Sequence, residues 1–165
     1  MSGNSSEGFF DIVSLNVSEK TGTRKRPVDS IALVAGKGVA GDAHSGLLEN
    51  RQVSLLALED IEAASKTACG AYRERGGEGD FALVPGDFAE NITTRGVVLC
   101  ELPLGTRIEL GETLLEVSKI GKECQSGCEI KQLVGDCIMP RRGIFVRVLR
   151  GGEVRREDRG HYRIG

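Results

Sequence analysis

Three of the five cysteines in this chain of 165 residues stand close together, in the stretch GKECQSGCEIKQLVGDC that holds Cys124, Cys128 and Cys137. A chain of this length buries enough surface on folding to be stable without disulfides or metals, so the cluster calls for a chemical explanation. Thiolates are nucleophiles. A persulfide on Cys124 could pass its outer sulfur to an acceptor, with Cys128 resolving the product as a disulfide. On a helical turn these two positions would face the same side, with about 5–6 Å between Cβ atoms.

Two other interpretations of the thiols stay open. Cysteine sulfur suits soft metals, and the Cys124-x3-Cys128 spacing falls in the range of zinc sites. Structural zinc takes four ligands, usually as two close pairs, whereas Cys137 stands alone with no fourth ligand near it. Free cysteine is also often a small buried hydrophobe. Packing is the interpretation we prefer for the two separate cysteines, Cys69 and Cys100.

The opening residues, the apolar runs and the charge of the chain argue against several classes of protein. The opening MSGNSSEG has neither the basic start nor the apolar core of a signal peptide, and no apolar run is long enough for a membrane helix. We therefore expect a cytoplasmic protein, where thiols are kept reduced. The net charge is −2, but residues 137–165 carry eight arginines and three acids. This basic end could attract an oxyanion or phosphate, while two tyrosines and no tryptophan argue against a nucleic-acid binder.

The 23 glycines punctuate short apolar runs, a pattern typical of many strands joined by tight turns. The segments predicted as strands are 9–17, 28–34, 52–56, 81–84, 106–110, 114–120 and 144–149. One helix is predicted over 58–68, and a helical turn over 129–134. The sequence thus predicts a flexible opening at residues 1–8 and a single β-rich domain over 9–165. Its fold is expected to be a closed or partly closed β-barrel with a few short helices, because short strands need their edges covered.

Two polar segments interrupt these elements. The first polar segment, residues 36–51, reads GKGVAGDAHSGLLENR and contains His44. The second polar segment, residues 86–95, reads GDFAENITTR. Loops of this length with chemically capable side chains are often functional.

Four stretches of the sequence occur together and in order in a known family. They are GDAHSG followed by RQVSLL, GDFAENITTRGV, LPLGTRIELGETLLEVSKIGKEC, and CIMPRRGIFVRVLRGGEV. On these residues the chain resembles the MOSC domain, named for the C-terminal domain of molybdenum cofactor sulfurases. The resemblance is greatest to the short stand-alone bacterial members.

The resemblance implies a β-rich barrel that binds the molybdenum cofactor (molybdopterin) or molybdate, or carries sulfur to it. The family's candidate metal ligand or persulfide cysteine corresponds by position to Cys124. The longer relatives carry a pyridoxal-phosphate domain that these residues lack, so we expect this chain to bind no pyridoxal phosphate itself. The expected partners are a cysteine desulfurase, a molybdenum cofactor biosynthesis protein or a molybdoenzyme, and a homodimer is allowed. No partner among nucleic acids or membranes is expected.

Side chains in the two polar segments and at the basic end are candidates for holding such a ligand. His44 could orient it, with Asp42 holding the imidazole, or could be a turn histidine satisfied by backbone. The planar fork of Arg51 matches phosphate or molybdate oxygens. The remaining candidates follow along the chain: Glu90, Asn91 and Thr93, which could read the pterin or hold a polar turn, and Arg141, which could form the anion end of the site.

The leading functional hypothesis is a molybdenum-cofactor handling protein with Cys124 as sulfur carrier or metal ligand, which leaves open whether it is an enzyme such as a sulfurtransferase. A non-catalytic module that delivers cofactor or metal to a partner enzyme would use the same pocket without a reactive thiol. A structural zinc protein would instead unfold on chelation. Reduction of N-hydroxylated compounds, as in some longer relatives, would need an electron donor that the sequence does not supply.

Overall fold

The computed structural model of the chain describes residues 6–20, 24–42, 51–74, 76–77, 82–121 and 138–165. Within these ranges the backbone forms eleven strands, two α-helices and one turn of 3-10 helix at Leu99–Glu101. The helices are α1 (Leu58–Glu74) and α2 (Met139–Arg142). The strands are β1 (Glu7–Val17), β2 (Arg26–Val28), β3 (Ser30–Val34), β4 (Gly38–Val39), β5 (Val53–Ala57), β6 (Ile92–Arg95), β7 (Arg107–Leu110), β8 (Thr113–Ile120), β9 (Ile144–Arg150), β10 (Gly152–Arg155) and β11 (Arg159–Arg163).

Seven of these strands close into a barrel in the order β1, β11, β7, β8, β9, β5, β6, with β6 returning to β1. Strand β1 closes the ring because it is long enough to use both edges. Glu7 pairs with Arg163 of β11, and Leu15 pairs with Ile92 of β6. The prediction of a closed barrel is confirmed, and closure leaves these strands without a free sheet edge.

Alternation along the strands separates an inner core from an outer apolar layer. Ile144, Val146 and Val148 of β9 all belong to the core inside the barrel, whereas Phe145 packs on the other side of the sheet. The strand predicted over 144–149 is thus confirmed. The outer layer, called the outer cluster below, consists of Leu56, Ile61, Phe88, Ala89, Ile138, Met139 and Phe145.

Helix α1 covers one side of the outer cluster. Strands β5 and β6 run parallel, so the chain must cross over between them, and α1 is part of that crossover. Ile61 and Ala68 are buried on its apolar stripe. The predicted helix is confirmed, but it continues six residues further, to Glu74, and therefore includes Cys69.

One predicted strand is wrong where the structure describes it. Residues 82–84 form no strand, because side chains satisfy their amides in place of a neighbouring strand. Leu83 donates its N–H to the hydroxyl of Ser65 on α1 at 2.9 Å, and Val84 donates to Asp87 Oδ2 at 2.9 Å. Leu83 therefore lies against the helix, whereas Val84 is exposed.

Other boundaries differ from the prediction. The strand predicted over 28–34 is two strands divided at Asp29, and β1 begins two residues earlier than predicted, at Glu7. Strands β4, β6, β10 and β11 were not predicted, since their residues are polar, basic or glycine-rich. The helical turn predicted over 129–134 and the first five residues lie outside the described ranges.

A second, three-stranded sheet in the order β10, β3, β4 stands beside the barrel. Val154 on β10 pairs with Ile31 on β3, and both side chains join the inner core. This sheet therefore packs against the inner core. No helix in the part of the chain that the structure describes is long and apolar enough to cross a membrane.

Candidate functional site

A network of buried polar side chains lies where β1, β6 and β5 adjoin, centred on Asn91. Asn91 Oδ1 accepts hydrogen bonds from the N–H and the hydroxyl of Ser54, at 3.1 and 3.2 Å. Its Nδ2 donates to the carbonyl oxygen of Asn16 at 3.2 Å, and the Asn16 N–H donates to the Asn91 carbonyl at 2.7 Å. Strands β1 and β5 flank β6 and do not pair with each other. Asn91 thus ties two strands that the sheet itself does not join.

Glu90 and Thr93 form the second part of this network. The Thr93 hydroxyl donates to Glu90 Oε2 at 2.7 Å, and the Phe88 N–H donates to Oε1 at 3.3 Å. Asn16 Nδ2 donates both to Thr93 Oγ1 and to the Glu90 carbonyl oxygen, each at 3.2 Å. Burial raises the pKa of Glu90 from 4.5 to about 7, while hydrogen bonds from backbone groups and from Thr93 lower it by less. The carboxyl group therefore titrates near neutral pH.

The turn at residues 86–89 leads into this network and is conformationally constrained. Gly86 has φ +93°, and a Cβ there would overlap the carbonyl oxygen of Lys25. Ala89 has φ +60°, in the left-handed region that residues with side chains rarely adopt. The surrounding contacts must hold this strained turn in place.

A buried ion pair lies on the other side of Gly86. Lys25 Nζ donates to both carboxylate oxygens of Asp42, at 2.8 and 2.9 Å. The two side chains are 0% and 1% exposed. The Ser18 N–H also donates to Asp42 Oδ1 at 2.9 Å, and the Lys25 N–H donates to the Gly86 carbonyl at 2.8 Å. This pair connects the first polar segment with the start of the second.

Arg51 lies over the outer cluster. Its guanidinium carbon is 5.9 Å from the centre of the Phe145 ring, a distance at which a cation is attracted to an aromatic face. Arg51 is half-buried. Among the residues that the structure describes, no carboxylate forms an ion pair with Arg51. As far as the described residues are concerned, its charge is not neutralised by a carboxylate.

Helix α2 carries two further arginines beside the same cluster. Arg142 Nε donates to Asp60 Oδ1 on α1 at 2.8 Å, and this bond raises the pKa of Arg142. Arg141 is exposed on the same turn. Met139, at the start of α2, is 1% exposed in the outer cluster. The basic turn is thus fastened to the same apolar layer as Phe145.

A family model with the description MOSC domain matches residues 40–159, most of the sequence. The chain belongs to the MOSC domain family. MOSC domains are associated in general with molybdenum-cofactor-related sulfur handling. No curated protein matches the sequence.

Solved structures share the MOSC fold of this chain. The YuaD protein from Bacillus subtilis superposes with a TM-score of 0.74 at 18% identity, over 94% of this chain and 96% of that chain. YiiM from Geobacillus stearothermophilus has a TM-score of 0.61 at 24% identity, over 90% of this chain and 72% of that one. YiiM from Escherichia coli has a TM-score of 0.62 at 16% identity, over 94% and 69%. At these identities the similarity shows the fold alone.

The structure brings together three of the candidate ligand-binding residues of the MOSC chain. Glu90, Asn91 and Thr93 are at most 1% exposed, and their described contacts are with each other, with the turn at residues 86–89, with β1 and with β5. These contacts support the alternative that they hold a polar turn, while direct contact with a ligand stays a prediction. The last four residues of the second polar segment, Ile92–Arg95, are barrel strand β6 and not loop.

The other candidates divide into two groups. Arg51 and Arg141 lie near the outer cluster, one over Phe145 and one on α2. His44, Cys124 and Cys128 lie outside the described residues, as does Cys137. Asp42, expected to hold the His44 imidazole, makes its described contacts with Lys25 and Ser18.

Sequence reasoning missed three residues that organise this region: Asn16, Ser54 and Lys25. Asn16 and Ser54 interrupt otherwise apolar strands, DIVSLNV and VSLLA, and such an interruption is a usable signal of a buried polar group with a partner. The burial of Lys25 could not be recognised from the sequence. It stands in the run RKR, which has the composition of an exposed basic loop.

The described residues hold no group of three His, Cys, Asp or Glu side chains that could bind a metal ion. Because the three clustered cysteines lie outside the described ranges, the zinc alternative stays untested. Cys69 and Cys100 are both free and partly exposed.

A polar surface hollow of about 450 Å³ lies away from the candidate site, on β10 and the residues before β3. Four of its five charged groups form ion pairs, Arg155 with Glu153 at 2.6 Å and Arg156 with Asp29 at 4.0 Å. It contains none of the candidate residues, so we assign it no role in ligand binding.

Proposed function

We propose that this MOSC protein binds the molybdenum cofactor, or molybdate, at the cationic side chains beside the outer cluster, and carries sulfur to it on Cys124. The observation that supports binding is Arg51, which lies over Phe145 and has no carboxylate partner among the described residues. A guanidinium held on an aromatic face keeps a planar fork of donors for phosphate or oxyanion oxygens. Family membership supports the choice of ligand.

The chemistry of the described donors fits an anionic ligand. Arg51 and Arg141 would contact its phosphate or oxo groups. Glu90, Asn91 and Thr93 are fully buried and would keep the adjacent turn in shape. When bound, the cofactor supplies dithiolene sulfurs from its own pterin, which leaves one thiolate for the protein to provide.

Sulfur transfer from Cys124 requires a nucleophilic acceptor. A cysteine desulfurase would load Cys124 as a persulfide. An acceptor thiolate attacks the outer sulfur, the S–S bond breaks, and Cys124 leaves as a thiolate with the bonding electron pair. Positive charge from the basic C-terminal part would favour that thiolate.

The test combines persulfide detection with ligand titration. The protein is incubated with a cysteine desulfurase and cysteine, and the persulfide is located by mass spectrometry in the wild type, Cys124→Ser, Cys128→Ser and the control Cys69→Ser. We expect the persulfide in all but Cys124→Ser. Molybdate is titrated by calorimetry, and Arg51→Gln should bind it more weakly than the wild type.

Two results would change the proposal. Persulfide that remains in Cys124→Ser removes this residue from the mechanism. If the Cys124 thiol reacts with iodoacetamide no faster than that of Cys100 near neutral pH, a carrier role is excluded and the non-catalytic delivery module takes its place.

A further inference from the structure

The Lys25–Asp42 ion pair holds three separated parts of the chain together. Asp42 ends the described part of the first polar segment and accepts the Ser18 N–H at the end of β1. Lys25 bonds to Asp42 through its side chain and to the Gly86 carbonyl through its N–H. Gly86 packs so closely on the Lys25 carbonyl that no Cβ fits between them. The turn at residues 86–89 therefore lies against the backbone of a residue whose side chain forms the ion pair.

Stability alone is a weak reason for such a pair. Removing two charges from water costs about as much as their attraction returns, so apolar residues of similar volume often stabilise a fold equally well. Both side chains are almost wholly buried, so this cost is large here. A buried pair can instead specify one arrangement, because each charge tolerates only a position beside the other.

The residues beyond Gly86 connect the pair to the candidate site. The turn leads directly to Glu90 and Asn91, whose contacts with Asn16 fix it on β1. Two residues of the turn, Phe88 and Ala89, belong to the outer cluster that also holds Phe145 beneath Arg51. A shift of the turn would thus reach the surface on which Arg51 lies.

We infer that Lys25 and Asp42 are positioning residues for the ligand site: their ion pair sets the turn at residues 86–89 against the first polar segment, and thereby sets the affinity for the oxyanion. The effect on affinity rests on the proposed function, whereas the effect on the position of the turn is independent of it. Neither residue contacts ligand in this proposal, since both are buried.

The decisive variant replaces both charges at once. Lys25→Met with Asp42→Asn keeps similar volumes and leaves an amide oxygen to accept the Ser18 N–H. The matched control is Arg107→Gln with Glu116→Gln, which neutralises an ion pair at 3.2 Å on another part of the barrel with the same change in net charge. Both double variants are compared with the wild type by molybdate calorimetry and thermal unfolding. We expect the buried double variant to unfold cooperatively but to bind molybdate about 10- to 100-fold more weakly, as outer-shell changes do.

Hydrogen exchange measures position independently of any ligand. The Ala89 N–H donates to the Gly86 carbonyl at 3.0 Å, and the Asn91 N–H donates to the Ser54 carbonyl at 3.0 Å. We expect both amides to exchange about ten-fold faster in the buried double variant, while Gly105, bonded to Val117 at 2.9 Å on the β7–β8 side, stays unchanged. A role in global stability alone would accelerate all three.

Each outcome decides the inference. Wild-type affinity in the buried double variant overturns it, and so does unchanged exchange at Ala89 and Asn91. If the wild type binds neither molybdate nor molybdopterin, the proposed function fails, and exchange alone decides whether the pair positions the turn. If the double variant does not fold, Asp42→Asn by itself, which keeps the acceptor for Ser18, is measured with the same two readouts.

Discussion

The hydroxyl of Thr93 donates a hydrogen bond to Glu90 Oε2 at 2.7 Å, and neither side chain is exposed to solvent. This bond and the backbone N–H groups around the carboxylate favour its charged form, while burial opposes it more strongly. The carboxyl group is therefore balanced between two protonation states near neutral pH. Its two oxygens accept hydrogen bonds from Phe88 in the turn before it and from Thr93 in the strand after it.

Glu90 should make stability fall as pH rises. Its pKa is raised from 4.5 to about 7 on folding, so the folded state binds the proton more tightly, and the resulting stabilisation is complete below pH 4.5 and lost as pH rises through about 7. We expect Glu90 to contribute about 3 kcal/mol less at pH 8 than at pH 4.5. The measurement is the free energy of unfolding against pH for the wild type and Glu90→Gln. Parallel curves for the two proteins would contradict this assignment.

Replacing Thr93 tests the hydrogen bond itself. Thr93→Val removes the hydroxyl that lowers the pKa of Glu90, so we expect that pKa, followed by carbon NMR of the carboxyl group, to rise above about 7. At pH 8 the variant should lose about 1–3 kcal/mol, as for a buried acceptor left without its donor. Thr94→Val is the matched control. Among the described residues, the Thr94 hydroxyl is buried without a hydrogen-bond partner, so its loss should be neutral or stabilising.

A comparison of two glycines with the same backbone angle distinguishes the cost of backbone strain from the cost of a steric clash. Gly86 and Gly96 both have φ +93°, but only a Cβ at Gly86 would meet other atoms within 4 Å. Gly96→Ala should cost about 1–2 kcal/mol for the left-handed conformation. Gly86→Ala should cost clearly more in the same urea titration, because the new methyl group must displace the Lys25 backbone. Equal losses would show that the turn is not packed against Lys25.

Breaking the buried ion pair on one side should destabilise the protein strongly. Lys25→Met leaves Asp42 buried without its counter-ion, and we expect a loss of about 3–5 kcal/mol in the free energy of unfolding. Arg107→Gln breaks a pair in which the arginine side chain is 52% exposed, and should change stability by less than about 1 kcal/mol. A loss of the same size in both variants would indicate that Lys25 is reached by solvent.

Arg51 should affect ligand binding far more than stability. Arg51→Gln removes the charge-assisted hydrogen bonds expected with an oxyanion, so molybdate affinity should fall about 10- to 100-fold. The cation–aromatic contact with Phe145 contributes only about 0.5–1 kcal/mol to folding at a partly exposed position. Arg95→Gln, which changes an exposed arginine on β6, is the control for net charge. Equal molybdate affinities in the two variants would exclude Arg51 from the site.

The predictable part of the fold follows from local patterns. Alternation in β9 and the apolar stripe of α1 place side chains inside or outside before any tertiary contact is known, because strand and helix periods are set by the backbone. Strands such as β6 could not be predicted, because its sequence ITTR has no apolar alternation. It is a strand because β1 and β5 lie on either side of it and take its hydrogen bonds.

The candidate site was predictable in its segments but not in its contacts. The two polar segments and Arg51 stand out by composition. The burial of Glu90 could not be predicted in this way, because an acidic residue in a polar stretch is usually part of a solvated turn. Lys25 was hidden for the same reason. Its burial depends on Asp42, which lies seventeen residues further along the chain, and on Gly86, from a third part of the sequence.

The sequence by itself indicated the MOSC family, through four stretches in order, and a closed or partly closed barrel. It also indicated which side chains share a face of a strand or helix, because those faces follow from periods of two or 3.6 residues. Only the tertiary structure decided that Glu90, Asn91 and Thr93 are buried together and that Lys25 pairs with Asp42. The physical reason is that water is excluded from a polar group by whichever distant segments cover it. The free-energy cost of burial, and hence the partner each group requires, is therefore set by contacts that local sequence does not record.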